Sequence, residues 1–137
     1  VHSGALGWVG FISFAAIYCM VPWLWKKEGL YSLRLVEWHF WIATLGIVLY
    51  ITAMWVSGIM QGLMWRSYDS LGFLEHSFIE AVAAMHPYYV IRALGGLLFL
   101  IGALIMVYNL VRTTRRELRA EEEPGRVYGT AQAAPAE

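Results

Sequence analysis

The chain has 137 residues, of which 59% are hydrophobic and 15% are charged, and its ten basic side chains balance ten acidic ones. This balance gives no reason to expect a nucleic-acid partner, because proteins that bind nucleic acid commonly carry a basic excess. The charges are clustered and leave three long uncharged runs, each of about 18 residues or more, a length that crosses a bilayer. The sequence therefore predicts an all-α integral membrane protein with three transmembrane helices.

The first predicted span covers about residues 1–25 and begins with a histidine, His2. Two tryptophans close it, Trp23 and Trp25, which are typical of the membrane interface. The single cysteine, Cys19, lies inside this run, so an internal disulfide is excluded. The run starts at a valine, with no capping residue and no flanking charge. We expect the sequence to be the end of a longer polypeptide.

The second predicted span covers about residues 35–65 and the third about residues 88–111, since Pro87 suits the first turn of a helix. Between them, apolar residues of the connection 67–87 recur at steps of three and four. This spacing is typical of an amphipathic helix on the outer membrane surface, either covering a buried site or packing on the ends of the spans. Residues 116–137 have little to bury and predict a disordered tail.

The basic residues predict how the membrane region, residues 1–115, is oriented. Seven lie on one side and two on the other: Lys26, Lys27, Arg34, Arg112, Arg115, Arg116 and Arg119 against Arg66 and Arg92. The positive-inside rule then places the first link and the C-terminus in the cytoplasm. His2 and the connection 67–87 face the outer side.

His2 is the histidine for which the sequence offers no other polar role. His39 is flanked by interfacial tryptophans, His76 lies in the surface connection, and His86 precedes a proline. An imidazole in lipid needs a partner, because an unpaired polar group there costs several kcal/mol. The small residues after His2 favour a flat cofactor such as a haem, although a backbone carbonyl would satisfy the ring equally well. A second axial ligand at the same depth is expected outside this chain.

Arg66, at the end of the second span, is the better of the two outer arginines for binding a haem propionate. Arginine pairs with carboxylates in a bidentate geometry, and propionates of a haem near His2 are expected at about this depth. The alternative is an interfacial arginine that extends to lipid headgroups. The sequence contains no recognisable catalytic triad, phosphate loop or metal cluster.

Three segments carry a family resemblance: VHSGALGWVGFISFAAIYCMVPWLW, VEWHFWIATLGIVLYITAMWVSGIMQGLMWRSYD and AMHPYYVIRALGGLLFLIGALIMVYN. They resemble the tenth, eleventh and twelfth helices of the catalytic subunit of cbb3-type cytochrome c oxidases, a branch of the haem–copper oxidases. The resemblance covers about residues 1–111. It implies that the three spans are the end of a twelve-helix bundle.

The resemblance implies roles for two residues. In this family the tenth helix carries His-x-His, whose second histidine binds low-spin haem b. Val1 matches the middle residue and His2 the second histidine, so His2 is implied to be an axial ligand of low-spin haem b. The string GLMWRS lies where relatives place propionate-binding arginines, which supports Arg66. The ligands of the high-spin haem b and of copper are implied to lie outside this chain, which therefore lacks a complete active site.

The implied activity is reduction of O2 to water, coupled to proton pumping in the bacterial inner membrane. The implied partners are membrane lipid, the upstream part of the same subunit, haem subunits of cytochrome c type, and cytochrome c. Three alternatives remain open: a nitric oxide reductase, with non-haem iron in place of copper; a self-contained three-span haem b or quinone anchor, with His2 and His86 on one haem; and a cofactor-free scaffold subunit.

Overall fold

The computed structural model describes residues 1–115, and the predicted tail lies outside the described residues. Within them the chain forms three long helices: α1, Ser3–Leu24; α2, Leu33–Met64; and α3, Phe78–Arg115. Each is long and apolar enough to cross a membrane. The predicted all-α architecture with three potential spans is therefore confirmed.

The start of α2 is fixed by a serine. Ser32 is the residue before the helix, and its hydroxyl accepts a hydrogen bond from the Leu35 amide at 3.4 Å. This bond satisfies one of the amide groups that lack a partner in the first turn of a helix. The preceding link leaves α1 through Lys26, whose backbone has a positive φ of 49°.

The start of α3 differs from the prediction. The helix begins at Phe78, and Pro87 lies inside it. The Ser77 hydroxyl accepts from the Glu80 amide at 3.3 Å, and the Glu80 carboxylate accepts from the Ser77 amide at 2.7 Å. This reciprocal capping box fixes the start. The expectation of a separate surface helix before Pro87 is wrong, because residues 67–77 are not helical and the apolar positions from Phe78 onward belong to the first turns of α3.

Small residues hold α2 and α3 together as an antiparallel pair. Buried positions on both helices recur at about 3.5-residue intervals, the period of left-handed helix packing. The closest approach is between Gly46 and Gly95. A Cβ atom built on Gly46 would lie 2.7 Å from the Gly95 carbonyl oxygen, and the reverse distance is also 2.7 Å. The two backbones are therefore in direct contact, as small residues in membrane helices allow.

Helix α1 packs on this pair through aromatic rings. The ring centroid of Phe11 lies 6.0 Å from that of Phe40 on α2 and 6.3 Å from that of Phe99 on α3. Phe14 lies 4.9 Å from the ring of His39. No residue of α1 is fully buried within residues 1–115. The helix is therefore held on one side, and its other side is open to lipid or further protein.

The first part of α1 has an unusual winding. Residues Ser3–Gly10 form a π-helix, and residues Phe11–Leu24 continue as an α-helix. Three of the eight π-helical residues are glycines, which have a low intrinsic preference for the α-helix. His2 stands at the head of this segment.

Candidate functional site

His2 is exposed and has an uncommitted imidazole. Its ring centroid lies 5.1 Å from that of Tyr50 on α2, with the planes inclined by 43°. Neither ring nitrogen forms a hydrogen bond within residues 1–115. Cβ atoms built on the neighbouring Gly4 and Gly7 would meet nothing within 4 Å. A histidine with free nitrogens and open space beside it fits the requirements of an axial haem ligand.

The contacts around Tyr50 define the depth of His2 in the helix bundle. A Cβ atom on Gly95 of α3 would lie 2.8 Å from the Tyr50 amide nitrogen, so these two residues are level. One turn further along α2, the sulfur of Met54 lies 3.6 Å from Nη1 of Arg92. His2, Tyr50 and Arg92 therefore lie within about one helical turn of each other in depth.

Arg92 has only neutral partners within the described residues. Its guanidinium carbon lies 5.1 Å from the ring centroid of Tyr89, and the Met54 sulfur is a weak acceptor. The residue is half-buried in a helix that is able to cross the membrane. No acidic side chain of residues 1–115 pairs with it. An arginine at this depth favours an anionic group beside it.

Arg66, the arginine predicted from sequence, lies at a different level. It is exposed, and its amide donates to the Leu63 carbonyl at 3.1 Å in the turn that ends α2. The fourteen residue steps from Tyr50 to Met64, the end of α2, correspond to a helix rise of about 21 Å. The structure of residues 1–115 thus brings His2 together with Tyr50 and near Arg92, and does not bring it together with Arg66.

His39 is buried among the three helices, although its sequence neighbours suggested an interfacial position. The side chain is 2% exposed, while the flanking Trp38 and Trp41 are exposed. Its Nδ1 atom is 2.9 Å from the Tyr18 hydroxyl, and its Nε2 atom has no partner. The sequence does not reveal this burial, because the packing of α1 on α2 decides it.

A polar clamp near the inner end of α3 was missed from the sequence. The Asn109 side chain donates to the Ser32 carbonyl at 2.9 Å and accepts from the Ser32 amide at 3.1 Å. The Thr113 hydroxyl accepts from the Tyr31 amide at 2.9 Å and donates to the Asn109 carbonyl at 2.7 Å. Asn109 and Thr113 are almost fully buried. Two polar residues one turn apart at the end of an apolar span are the signal that could have indicated it.

The remaining histidines do not assemble a metal centre. His86 is exposed, His76 is half-exposed, and neither forms a hydrogen bond within residues 1–115. No group of three or more histidine, cysteine, aspartate or glutamate side chains in that part of the chain could hold a metal ion.

Comparison with known proteins identifies the family. Residues 1–98 match the family described as Cytochrome C and Quinol oxidase polypeptide I. The chain is 77% identical over 115 residues to a cytochrome c oxidase subunit 1 homolog, bacteroid, of Bradyrhizobium diazoefficiens, covering 84% of this chain and 21% of the relative. It is 59% identical over 117 residues to cytochrome c oxidase subunit 1 of Rhodobacter capsulatus, covering 85% and 22%.

A third relative carries the more specific name. The chain is 49% identical over 121 residues to the cbb3-type cytochrome c oxidase subunit CcoN1 of Stutzerimonas stutzeri, covering 88% of this chain and 26% of the relative. The chain thus spans about a fifth to a quarter of the length of these relatives. The resemblance stated from the sequence is confirmed. The chain belongs to the Cytochrome C and Quinol oxidase polypeptide I family.

Proposed function

We propose that this chain is the C-terminal membrane part of the catalytic subunit of a cbb3-type cytochrome c oxidase, and that His2 is an axial ligand of its low-spin haem b. The observation that carries the proposal is the exposed imidazole of His2, which forms no hydrogen bond within residues 1–115 and stands at the head of an apolar helix in a chain of this family. The identity of 49% to a cbb3-type subunit supports the choice of branch.

In this proposal the chain contributes one ligand and part of the surrounding wall. When bound between two histidines, a haem supplies a one-electron carrier whose iron has no open position for O2. His2 would be one ligand of the iron, and the second ligand would come from outside this chain. Tyr50 packs against the His2 ring and would limit its rotation. The apolar side chains of α1 and α2 would keep water away from this layer.

The proposed activity of the complete subunit is reduction of O2 at a high-spin haem b and copper site, coupled to proton pumping. Electrons come from cytochrome c through haem subunits of cytochrome c type. The membrane is the bacterial cytoplasmic membrane, with the His2 end towards the periplasm and the C-terminus in the cytoplasm. The basic residues at the inner ends of α1 and α3 support this orientation.

Two arginines are proposed to stabilise haem propionates. Arg66 is proposed from its place in the GLMWRS string, and Arg92 from its depth near His2 and its lack of an acidic partner within residues 1–115. Arg66, about 21 Å or more beyond Tyr50 along α2, reaches a propionate only when the propionates point towards the end of α2. Arg92 does so when the ring is level with Tyr50. Substitution of each arginine therefore shows which of the two lies near the haem propionates.

Substitution of the ligand tests the proposal. In the full subunit, His2→Ala removes the imidazole and is expected to abolish the low-spin haem b band in reduced-minus-oxidised spectra of the purified complex. The Tyr18→Phe variant, which changes a polar group on the inner half of α1, is the control and keeps the band. An unchanged low-spin band in His2→Ala would refute the role of His2.

A further inference from the structure

The π-helical segment Ser3–Gly10 follows His2 directly. Runs of π-helix are rare, are usually a single turn, and occur often at functional sites. Packing within residues 1–115 does not require glycine at Gly4 or Gly7, because a Cβ atom at either position would meet nothing within 4 Å there. Glycine weakens the preference for an α-helix by up to about 1 kcal/mol per residue. The composition of this segment therefore permits the unusual winding.

The winding determines which side of α1 His2 faces. Nine residue steps separate His2 from Phe11, which contacts α2 and α3. At about 100° per residue in an α-helix, nine steps make about two and a half turns and place His2 opposite Phe11. At about 80° per residue in a π-helix, nine steps make about two full turns and place His2 on the same side. The observed contact of His2 with Tyr50 of α2 fits the π-helical winding.

A regular α-helix would present a different residue at this place. Gly4 lies seven residues before Phe11, which is about two α-helical turns, so an α-helix would put Gly4 above Phe11. The π-helical winding moves His2 into that direction instead. The direction of His2 therefore depends on the winding of the eight residues after it.

We infer that the segment Ser3–Gly10 is a positioning element that turns His2 towards the α2–α3 pair and so sets the side of α1 on which the haem lies. This inference rests on the proposed role of His2 as haem ligand. It adds that the haem occupies the Tyr50 side of α1. In a regular α-helix the same histidine would hold the haem on the opposite side.

One deletion tests the inference in the full-length subunit in its native membrane. Removal of Gly4 and Ala5 leaves six residues in the segment, and ordinary α-helical winding then places His2 seven residues, about two turns, before Phe11. The matched control is removal of Ala15 and Ala16, which lie in the α-helical part, and their loss turns everything before them by about 200° relative to Tyr18. All four residues are exposed and lie on α1.

The readouts are subunit abundance by immunoblot, the low-spin haem b absorption band, and the electron paramagnetic resonance signal of the low-spin iron. We expect the Gly4–Ala5 deletion to keep the band and signal of a haem with two histidine ligands. The Ala15–Ala16 deletion is expected to lower the band about tenfold or more, since loss of ligand orientation weakens metal sites by such factors. Loss of the band in a Gly4–Ala5 deletion that accumulates normally would overturn the inference.

A length-preserving exchange covers the case in which the Gly4–Ala5 deletion fails to accumulate. The double variant His2→Ser with Ser3→His moves the imidazole by one residue, about 80° around a π-helix. We expect it to lose the low-spin band and keep the high-spin haem. A retained low-spin band would overturn the inference. Retention of the band in His2→Ala instead contradicts the proposed function, so the two failures are distinguishable.

Discussion

Arg66 and Arg92 carry the same charge in different surroundings, and this difference can be measured. Arg92 lies near the depth of His2 with a ring and a sulfur as neighbours, whereas Arg66 is exposed beyond the end of α2. A positive charge near a haem favours the reduced iron. At an effective dielectric constant of about 20 and a separation of about 10 Å, one charge contributes about 1.7 kcal/mol.

We therefore predict that Arg92→Gln lowers the midpoint potential of the low-spin haem by roughly 70 mV, the one-electron equivalent of that energy. Arg66→Gln is expected to change the potential less, since the nearby helix end is open to screening solvent. The measurement is a spectroelectrochemical titration of both variants, with Arg92→Lys as the charge-preserving control. A larger shift in Arg66→Gln would place the propionates near the end of α2.

Properties that depend only on residue type and position in the chain can be predicted from the sequence. The directions in which side chains point, and therefore their contacts, cannot. The position of His2 at the head of an apolar run was readable, because charge and hydropathy are properties of the chain. Its contact with Tyr50 was not, since the π-helical winding has no clear signature in the apolar pattern. The burial of His39 likewise depends on Phe14 and Tyr18 of another helix.

At the scale of elements, the contact between α2 and α3 is the least tolerant feature of the fold. Gly46→Ala places a methyl group 2.7 Å from backbone atoms of Gly95 and Phe99, so the helices must separate. We expect a destabilisation of about 1–3 kcal/mol, as for other overpacked sites. The temperature at which the low-spin haem band is lost in detergent measures this destabilisation.

The control for this substitution lies on the same helix. A Cβ atom on Gly58 would meet nothing within 4 Å, and α-helix propensity favours alanine there by up to about 1 kcal/mol. Gly58→Ala is expected to leave the thermal midpoint unchanged or slightly raised. Equal losses in both variants would show that the close contact of Gly46 and Gly95 does not limit stability.

The polar clamp at the inner end of α3 gives a second prediction for an element. Asn109→Leu removes both hydrogen bonds to the Ser32 backbone, so the amide and the carbonyl of Ser32 lose their partner. A buried unsatisfied group costs about 1–3 kcal/mol. Trypsin cleavage at Lys26 in inside-out vesicles is expected to accelerate about tenfold, which corresponds to about 1.4 kcal/mol of easier opening.

Thr114→Val is the matched control for the clamp. The Thr114 hydroxyl bonds within its own helix to the Val111 carbonyl at 3.1 Å and makes no contact with the link. Cleavage at Lys26 in this variant is expected to match the wild-type rate. An Asn109→Leu variant that is cleaved no faster would mean that the clamp does not hold the link.

The helix boundaries show how local signals compete in sequence analysis. Pro87 suggested a start for α3, but the capping box of Ser77 and Glu80 decides it. This box follows the readable sequence pattern Ser-x-x-Glu, and its hydrogen bonds start the helix well before Pro87. Membrane helices tolerate an internal proline because neighbouring groups can satisfy the freed carbonyl. The docking of Tyr31 and Ser32 on α3 has no comparable local signal.

At the scale of the whole molecule, the family assignment predicts a much larger protein and a second metal. The chain covers only 21% to 26% of its relatives. We predict that the purified complex contains copper in addition to haem iron, measured by elemental analysis. Iron without copper would favour the nitric oxide reductase alternative. An isolated three-helix polypeptide that retains a bis-histidine haem would favour the membrane-anchor alternative.

The backbone contact between Gly46 and Gly95 also has a mechanical consequence. Neither residue has a side chain that could change rotamer, so α2 cannot slide along α3 without breaking the contact. The depths of Tyr50 on α2 and Arg92 on α3 are thereby fixed relative to each other. Helix α1 touches the pair mainly through aromatic rings, which tolerate small shifts. Any change of bond geometry at His2 is therefore expected to be absorbed by α1, while the α2–α3 pair acts as a fixed frame.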